Sequence, residues 1–321
     1  MNKYQFLSNC TADAISNAVE HLKAGNLVAF PTETVYGLGA DACNSQAVAR
    51  IYSVKGRPND HPLIVHIACI ERMGDWASDV PEYAIVLARN FWPGPMTLVL
   101  TRSELAADFV TGGQDTVGLR VPDHVVALAL LEAFEKAGGK GVAAPSANRF
   151  GHVSPTNSIA VIEELGEYLC KDDLVLDGGA CAVGVESTII DCTDAAPSVL
   201  RPGAITVAMI EECTGIKVTQ INSEIRVSGS LENHYAPAAL VVLDRIPEAT
   251  EGYIALANFK TPRNVVRLAS PKNSAEFAHV LYSALRKADA LKLEVVIVLQ
   301  PHGDGIAEAV RDRLKRASRN K

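Results

Sequence analysis

Apolar and polar positions along the chain switch repeatedly between helical and extended spacing. In "TADAISNAVEHLKAG", Ile15, Val19 and Leu22 share one helical face, Thr11 can cap its start and Gly25 ends it. The apolar run "LVAF" that follows predicts a buried strand. "SQAVARIYSVKG" predicts a short helix ending near Lys55-Gly56, "PLIVHI" a strand, and "PEYAIVLARNFW" a helix stopped by Pro93-Gly94-Pro95. "MTLVLTR" and "TVGLRVP" read as strands, "HVVALALLEAFEKAGG" as an apolar helix closed by Gly138-Gly139, and "GVAAPSANRFGH" as strand into loop. "NSIAVIEELGEY" and "TVAMIEECTG" predict helices, with strands at "LVLDGG", "STIIDC" and "SVLRPGAI" between them.

Interleaved strands and helices predict an α/β or α+β domain over residues 1–215, with antiparallel hairpins in its second half. Residues 216–239, which include "INSEIRVSGSLENHYAPAA", hold few large aliphatics and read as a linker. Periodicity returns over 240–321, where strands alternate with two helices and predict a small second α/β domain. In "SAEFAHVLYSALRKADAL", Phe277, Val280, Leu281, Ala284, Leu285 and Ala288 form one stripe. The basic end of the last helix (Arg311, Arg313, Lys315 and Arg316) reads as a solvated turn complementing the helix dipole.

Composition narrows the class. At 321 residues two domains are the natural expectation, and 48% apolar with 21% charged residues is ordinary for a soluble globular protein. No stretch is long and apolar enough for a membrane span, and "MNKYQFLSNC" lacks the plan of a signal peptide. Seven cysteines without a CxxC pair suit a reducing cytosol, so a cytoplasmic location is expected. A net charge of −7 argues against a surface that grips nucleic acid as a whole. Any anion site must be assembled locally from a few cations.

Familiar motifs do not supply that site. "GLGADA" has the spacing of a loose dinucleotide fingerprint, but six residues separate Phe30 from Gly37, whereas the true motif turns directly off its strand. "AGGKGV" lacks the spacing of a phosphate loop, and no Cys/His pattern suits a structural zinc. Polar chemistry gathers instead at strand ends. "FPTETVYGLGADA" has more donors and acceptors than a turn needs, and its Gly37 and Gly39 are expected to let the backbone approach a ligand. "KGRPNDHPLIVHI" brings Lys55, Arg57 and His66, the last equally readable as a tolerated core histidine. "TVGLRVP" sets Thr116 and Arg120 on one side of a strand. "APSANRFGHVSPT" offers Ser146, Asn148 and Ser154, and "VGVESTIID" with "LRPG" adds Ser187 and Arg201. Lys55, Arg57, Arg120 and Arg201, all beside Pro, Gly or hydroxyl residues, point to a shared anionic ligand. Glu33 receives no role and reads as a surface charge.

The ordered set "FPTETVYGLGADA", "KGRPNDHPLIVHI", "WPGPMTLVL", "TVGLRVP", "APSANRFGHVSPT", "GVESTIID" and "LRPGAI" resembles the YrdC-type threonylcarbamoyl-AMP synthase family over nearly the whole chain. "ENHYAP" and the small C-terminal domain look like its long, two-domain form. The resemblance implies a twisted mixed sheet with flanking helices, YrdC-like, plus a small Rossmann-like α/β domain. It implies a cytosolic nucleotidyltransferase joining L-threonine, bicarbonate and ATP into threonylcarbamoyl-adenylate with release of pyrophosphate. That product would feed a downstream tRNA threonylcarbamoyl transferase complex, with tRNA contact weak or indirect. Carried over position by position, Thr34, His66, Arg120, Ala144 (by its backbone) and Ser187 would hold threonine. Arg57, His61, Thr116, Ser146, Asn148, Ser154, Arg201 and the linker Tyr235 would hold ATP, with Lys55 and Arg57 the catalytic cations. His61 stands where the family more usually has asparagine, though imidazole also donates to a phosphate or ribose oxygen.

The implied chemistry suits these residue types. Arg120 would take the threonine carboxylate, while Lys55, Arg57 and Arg201 counter the triphosphate. Thr34 and Ser187 would orient the amino acid, and Tyr235 is a candidate lid. Magnesium is expected with ATP, held by phosphate oxygens and water, since no carboxylate cluster forms a protein metal site. No side chain stands out as a general base. An RNA-binding module and a carbamoyl-transfer domain of YrdC type are the competing readings.

Overall fold

A computed structural model describes residues 4–7, 10–219, 225–229 and 235–318. Eleven strands of the described residues join one mixed sheet. Across its middle run Val28–Phe30, Gly37–Asp41, Val142–Ala143, Ile64–His66, Thr116–Arg120, Met96–Arg102 and Thr188–Asp191, in that order. Gln5–Leu7 and Leu174–Leu176 extend one edge and Ser198–Arg201 the other, while Ala77–Asp79 pairs with Met96–Arg102 off this path.

Local chemistry accounts for the helices around it. Thr11 accepts from the Ala14 amide and Asn44 from Gln46 and Ala47, so Ala12–Lys23 and Ser45–Lys55 begin on side-chain caps. Gly56 ends the latter in the left-handed region at φ 63°. Helices Ala12–Lys23 and Val125–Lys136 bury Ile15, Leu22, Leu130 and Phe134 against Phe30 and Leu174. The alternate positions of the same strands pack elsewhere: Ala29, Leu38, Leu98 and Leu119 meet Ile51, Trp76 and Leu87 in a second core. This period-2 division leaves Ile64, His66, Gly118 and Arg120 facing away from that second core. Part of their cover is the linker, through Val227 packed with Val99 and Ile189.

A second, all-parallel sheet of four strands runs Leu240–Leu243, Val295–Val298, Gly252–Ile254, Val266–Ala269. Its helices Ser274–Ala290 and Ile306–Ala317 pack over Ile254, Leu268, Val296 and Val298 of that sheet in a core that the first domain completes. Phe277, Leu281, Leu285, Val310 and Leu314 pack in one cluster with Val35, Val153 and Val185 of the first domain. The approach is close at Gly184 (φ 85°), where a Cβ would stand 2.5 Å from Ala278 O and from the His279 Cα. Only glycine fits there.

Two expectations need correction. "GLGAD" is not loop: Gly37–Asp41 is a strand paired antiparallel with Val28–Phe30 and, through Ala40 and Asp41, with Val142–Ala143. Glycines give no strand signal of their own, and neighbours on both sides decide the conformation. A Cβ on Gly39 would meet Val142 Cγ1 at 2.7 Å and Phe30 Cε1 at 2.9 Å, so this glycine serves sheet packing rather than a ligand. The second concerns Arg313, expected in solvent. It is fully buried, among the largest buried side chains of the molecule.

Leu281 lies at the centre of the shared core with no exposed surface. Leu281→Ala should destabilise the protein by about 2–5 kcal/mol, read as a lower midpoint in denaturant. A loss below about 0.5 kcal/mol, the size of an ordinary surface substitution, would contradict a core shared by both domains.

Candidate active site

Register builds the site. In the parallel pair of Ile64–His66 and Thr116–Arg120, His66 lies opposite Arg120, so both side chains reach the same face. The turn "PTETVYG" folds onto that pair. Thr32 Oγ1 donates to Val35 O at 2.7 Å and sits 2.9 Å from Thr34 Oγ1, which accepts from Arg120 Nη2 at 2.8 Å. The same Nη2 lies 2.8 Å from Glu33 Oε1, in an ion pair too oblique for a hydrogen bond. Glu33 and Arg120 are only 5% and 4% exposed. Glu33 is therefore not a surface charge: a buried guanidinium needs a fixed counter-charge, and Glu33 supplies it. Arg120 Nε has no hydrogen-bond partner among the described residues, which leaves donor capacity for a ligand.

His66 lines the same cavity, and its buried Nδ1 has no hydrogen-bond partner among the described residues. Burial, with Arg120 adding to it, pushes the imidazole down to about 3. It is neutral at pH 7, and the ring both lines the cavity and packs edge-on against Phe30, 5.9 Å between centroids.

The opposite wall is held by Arg201. Its Nε and Nη2 donate to Ser187 O at 3.1 and 2.9 Å, and Nη2 reaches Ser187 Oγ at 3.1 Å. Its Nη1 donates to Ser228 O at 2.8 Å, while Arg57 Nη2 donates to Ser228 Oγ at 2.9 Å and to Pro62 O at 2.8 Å. Ser228, from the linker, thus bridges two cations. Burial lowers the Arg57 guanidinium to about 10, so it stays charged at pH 7. Together these groups line a cavity with about 500 Å³ of empty space, the open solvent at its mouth included. Tyr235, at φ 64° and 1% exposed, closes one side. His234, the first residue of "HYAP", lies outside the described residues.

Eight expected residues line this cavity: Arg57, His66, Arg120, Ala144, Ser146, Ser187, Arg201 and Tyr235. The Ala144 amide already donates to Ile64 O, so the backbone group it can offer is its carbonyl. Thr116 lines a smaller adjoining pocket that shares Ile64 and Ser228 with the first. The others stand behind the wall. Lys55 Nζ donates to Ser146 O and Asn148 O, both at 2.6 Å, and is 2% exposed. It holds the "APSAN" loop and does not face the cavity. Asn148 is fully buried, with Nδ2 donating to Arg149 O and His152 O, and it too shapes that loop. Thr34 supports Arg120, and Ser154 Oγ donates to Glu186 Oε1 at 2.6 Å. His61 sits outside both pockets with its ring edge-on to Phe150, 5.4 Å between centroids.

Glu186, Ser228 and Thr32 line the cavity, yet the sequence reading passed over them. Their signals were weak: Glu186 neighbours Ser187 in "GVEST", while Ser228 lies in a segment without periodicity. Among the described residues no three His, Cys, Asp or Glu side chains converge to hold a metal ion.

Similarity to known proteins can be set against this geometry. The Sua5, YciO and YrdC family described as "Telomere recombination" matches residues 20–203, and "Threonylcarbamoyl-AMP synthase, C-terminal domain" matches 205–319. The chain is 40% identical to the threonylcarbamoyl-AMP synthase of Pyrococcus abyssi, covering 94% of this chain and 93% of that protein. It is 37% identical to the Bacillus subtilis protein of the same name, covering 95% and 92%. The crystal structure of P. abyssi Sua5 complexed with L-threonine superposes with a TM-score of 0.86 at 36% identity, covering 98% of this chain and 97% of that one.

The depressed basicity of His66 has a measurable consequence. The unfolded chain takes up a proton on His66 near 6.5 and the folded protein only near 3, so stability falls as pH drops through that window. Between pH 7 and 5 this amounts to a loss of about 2 kcal/mol, which His66→Gln removes. Denaturant unfolding of both proteins at the two pH values measures it, and equal pH slopes would exclude a buried neutral imidazole.

Proposed function

The chain belongs to the Sua5/YrdC family of threonylcarbamoyl-AMP synthases, and from that premise we propose that it joins L-threonine, bicarbonate and ATP into L-threonylcarbamoyladenylate, releasing pyrophosphate. One observation carries the reading to this molecule. Arg57, Arg120 and Arg201 meet His66 and Ser187 around a single cavity, in a chain similar along 98% of its length to a threonine-bound structure.

The residues divide the work by geometry. Arg120 takes the threonine carboxylate with the donors that Glu33 and Thr34 leave unused. Glu33 and Thr34 fix the guanidinium plane and do not touch the amino acid. The threonine amine attacks the bicarbonate carbon with loss of water, and a carbamate oxygen then attacks the α-phosphorus, displacing pyrophosphate. Ser187 Oγ, the Ala144 carbonyl and neutral His66 Nδ1 orient the amine for the first step. Arg57 and Arg201 face the negative charge that builds as pyrophosphate leaves. Lys55 acts at one remove by holding the Ser146 and Asn148 carbonyls in place. A carbamate decomposes in water, and the walls from Ser228, Gly229 and Tyr235 limit solvent around it.

Magnesium fits this site only as an ion carried in by the nucleotide. Glu186 is the one carboxylate among the described lining residues, and both its oxygens are engaged by protein donors. Phosphate oxygens and water would hold the ion, where it would neutralise triphosphate charge. The product is an activated carbamoyl group, suited to a transferase complex that modifies tRNA. No described helix is long and apolar enough to cross a membrane, and we place the reaction in the cytosol.

Pyrophosphate release from ATP should require both L-threonine and bicarbonate, measured by a coupled phosphate assay. Release indifferent to threonine would refute the assignment. Arg120→Ala should raise the threonine requirement by about 10- to 100-fold, the loss of a charge-assisted pair, and leave the ATP requirement within a few fold. Equal effects on both would remove its carboxylate role.

A further inference from the structure

A carboxylate is an odd component in the wall of a cavity built for anions. Glu186 is the only one among the described lining residues, and it sits beside Ser187, the anchor of Arg201. The first domain gives it a single neutral side-chain donor, Ser154 Oγ at 2.6 Å. The rest comes from the C-terminal domain. Tyr282 OH, on helix Ser274–Ala290, lies 3.1 and 2.9 Å from its two oxygens, and Arg313 Nε, on helix Ile306–Ala317, donates to Oε2 at 2.7 Å. Arg313 Nη2 also reaches Glu186 O at 3.4 Å. Both Tyr282 and Arg313 are fully buried. The same guanidinium lies 5.4 Å from the ring centroid of Tyr235, which stacks on Tyr282 at 5.8 Å and lines the cavity. Asp312 holds the other side of Arg313 through Nη1 at 2.7 Å and is itself paired with Arg316.

We propose that the C-terminal domain tunes the charge of the cavity: Arg313 neutralises Glu186, with the Tyr282 hydroxyl hydrogen-bonded to it, so that an incoming triphosphate meets a more strongly cationic wall when the two domains are docked. Arg313 acts through Glu186 and touches no substrate, which makes it a positioning and charge-compensating residue. Burial alone would raise the Glu186 carboxyl; Arg313 first, then Arg201, hold it at about 2, so the neutralising partner is a cation rather than a proton. The inference rests on the reading that this cavity takes ATP.

The test uses two substitutions in the full chain whose effects on stability agree and whose effects on binding oppose. Arg313→Met takes from Glu186 its ion-pair partner, and Glu186→Gln leaves Arg313 with Asp312 alone; both should lower the thermal midpoint. Calorimetric titration with ATP at pH 8 should show weaker binding by roughly tenfold or more in Arg313→Met. Binding should be tighter than wild type in Glu186→Gln, and close to wild type in the double variant. A merely structural role would weaken ATP binding in both single variants, and that outcome, or no detectable ATP binding by the wild type, overturns the proposal. Threonine-dependent pyrophosphate release by the wild type, run in parallel, separates the two readings. Release with same-signed shifts defeats this inference alone, whereas opposite shifts without release defeat only the assigned reaction. Should Arg313→Met fail to fold, Glu186→Gln still decides, because tighter binding is required of it.

Discussion

Keeping cations out of water is the constraint around which this molecule is arranged. Lys55, Arg57, Arg120, Arg201 and Arg313 are all less than a tenth exposed. Each buried charge would be prohibitive without fixed acceptors close at hand. Lys55 has two carbonyls, Arg57 and Arg201 share Ser228, Arg120 has Glu33 and Thr34, and Arg313 has Glu186. Those acceptors come from separate turns and strands, so satisfying the cations forces these segments together. The cavity is the space left where the donors of three of these guanidinium groups converge.

The same constraint explains why the two domains are not independent. The inner helices of the second domain bury Phe277 and Leu281 against Val35, Val153 and Val185, so the turn that carries Glu33 and Thr34 is packed from behind by the other domain. Arg286 adds an ion pair to Glu164 at 3.0 Å and a bond to the Val153 carbonyl. With Arg313 on Glu186, the contact is apolar at its centre and ionic beside the cavity. A threonylcarbamoyl-AMP synthase handling a water-labile carbamate gains from such an arrangement, because the parts that exclude solvent also set the field inside.

Much of the fold could be read from local pattern. The capped helix after Thr11, the stop at Gly56, and the strands at "MTLVLTR" and "TVGLRVP" follow from propensity and period, which act over a few residues. Thr116 and Arg120 share a face because two-residue alternation puts them there. Gly37–Asp41 was not legible, since its conformation comes from the strands on either side rather than from "GLGAD" itself. Within the site, Arg57, His66, Arg120 and Arg201 could be singled out as polar groups in apolar or turn contexts. Their partners could not: Glu33, Glu186 and Ser228 look like ordinary solvent residues when each is viewed among its chain neighbours.

The amino-acid sequence alone thus determined most of the elements, the two-domain plan, the family and the set of cations, because each depends on local spacing or on the order of motifs along the chain. Tertiary structure decided which of those cations reach a ligand and which, like Lys55, are spent on holding a loop. It also moved Arg313 from an apparently solvated helix end to the back of the cavity. The physical reason is that a charge is defined by what surrounds it within a few ångströms, and here those surroundings are supplied by residues as much as 171 positions away.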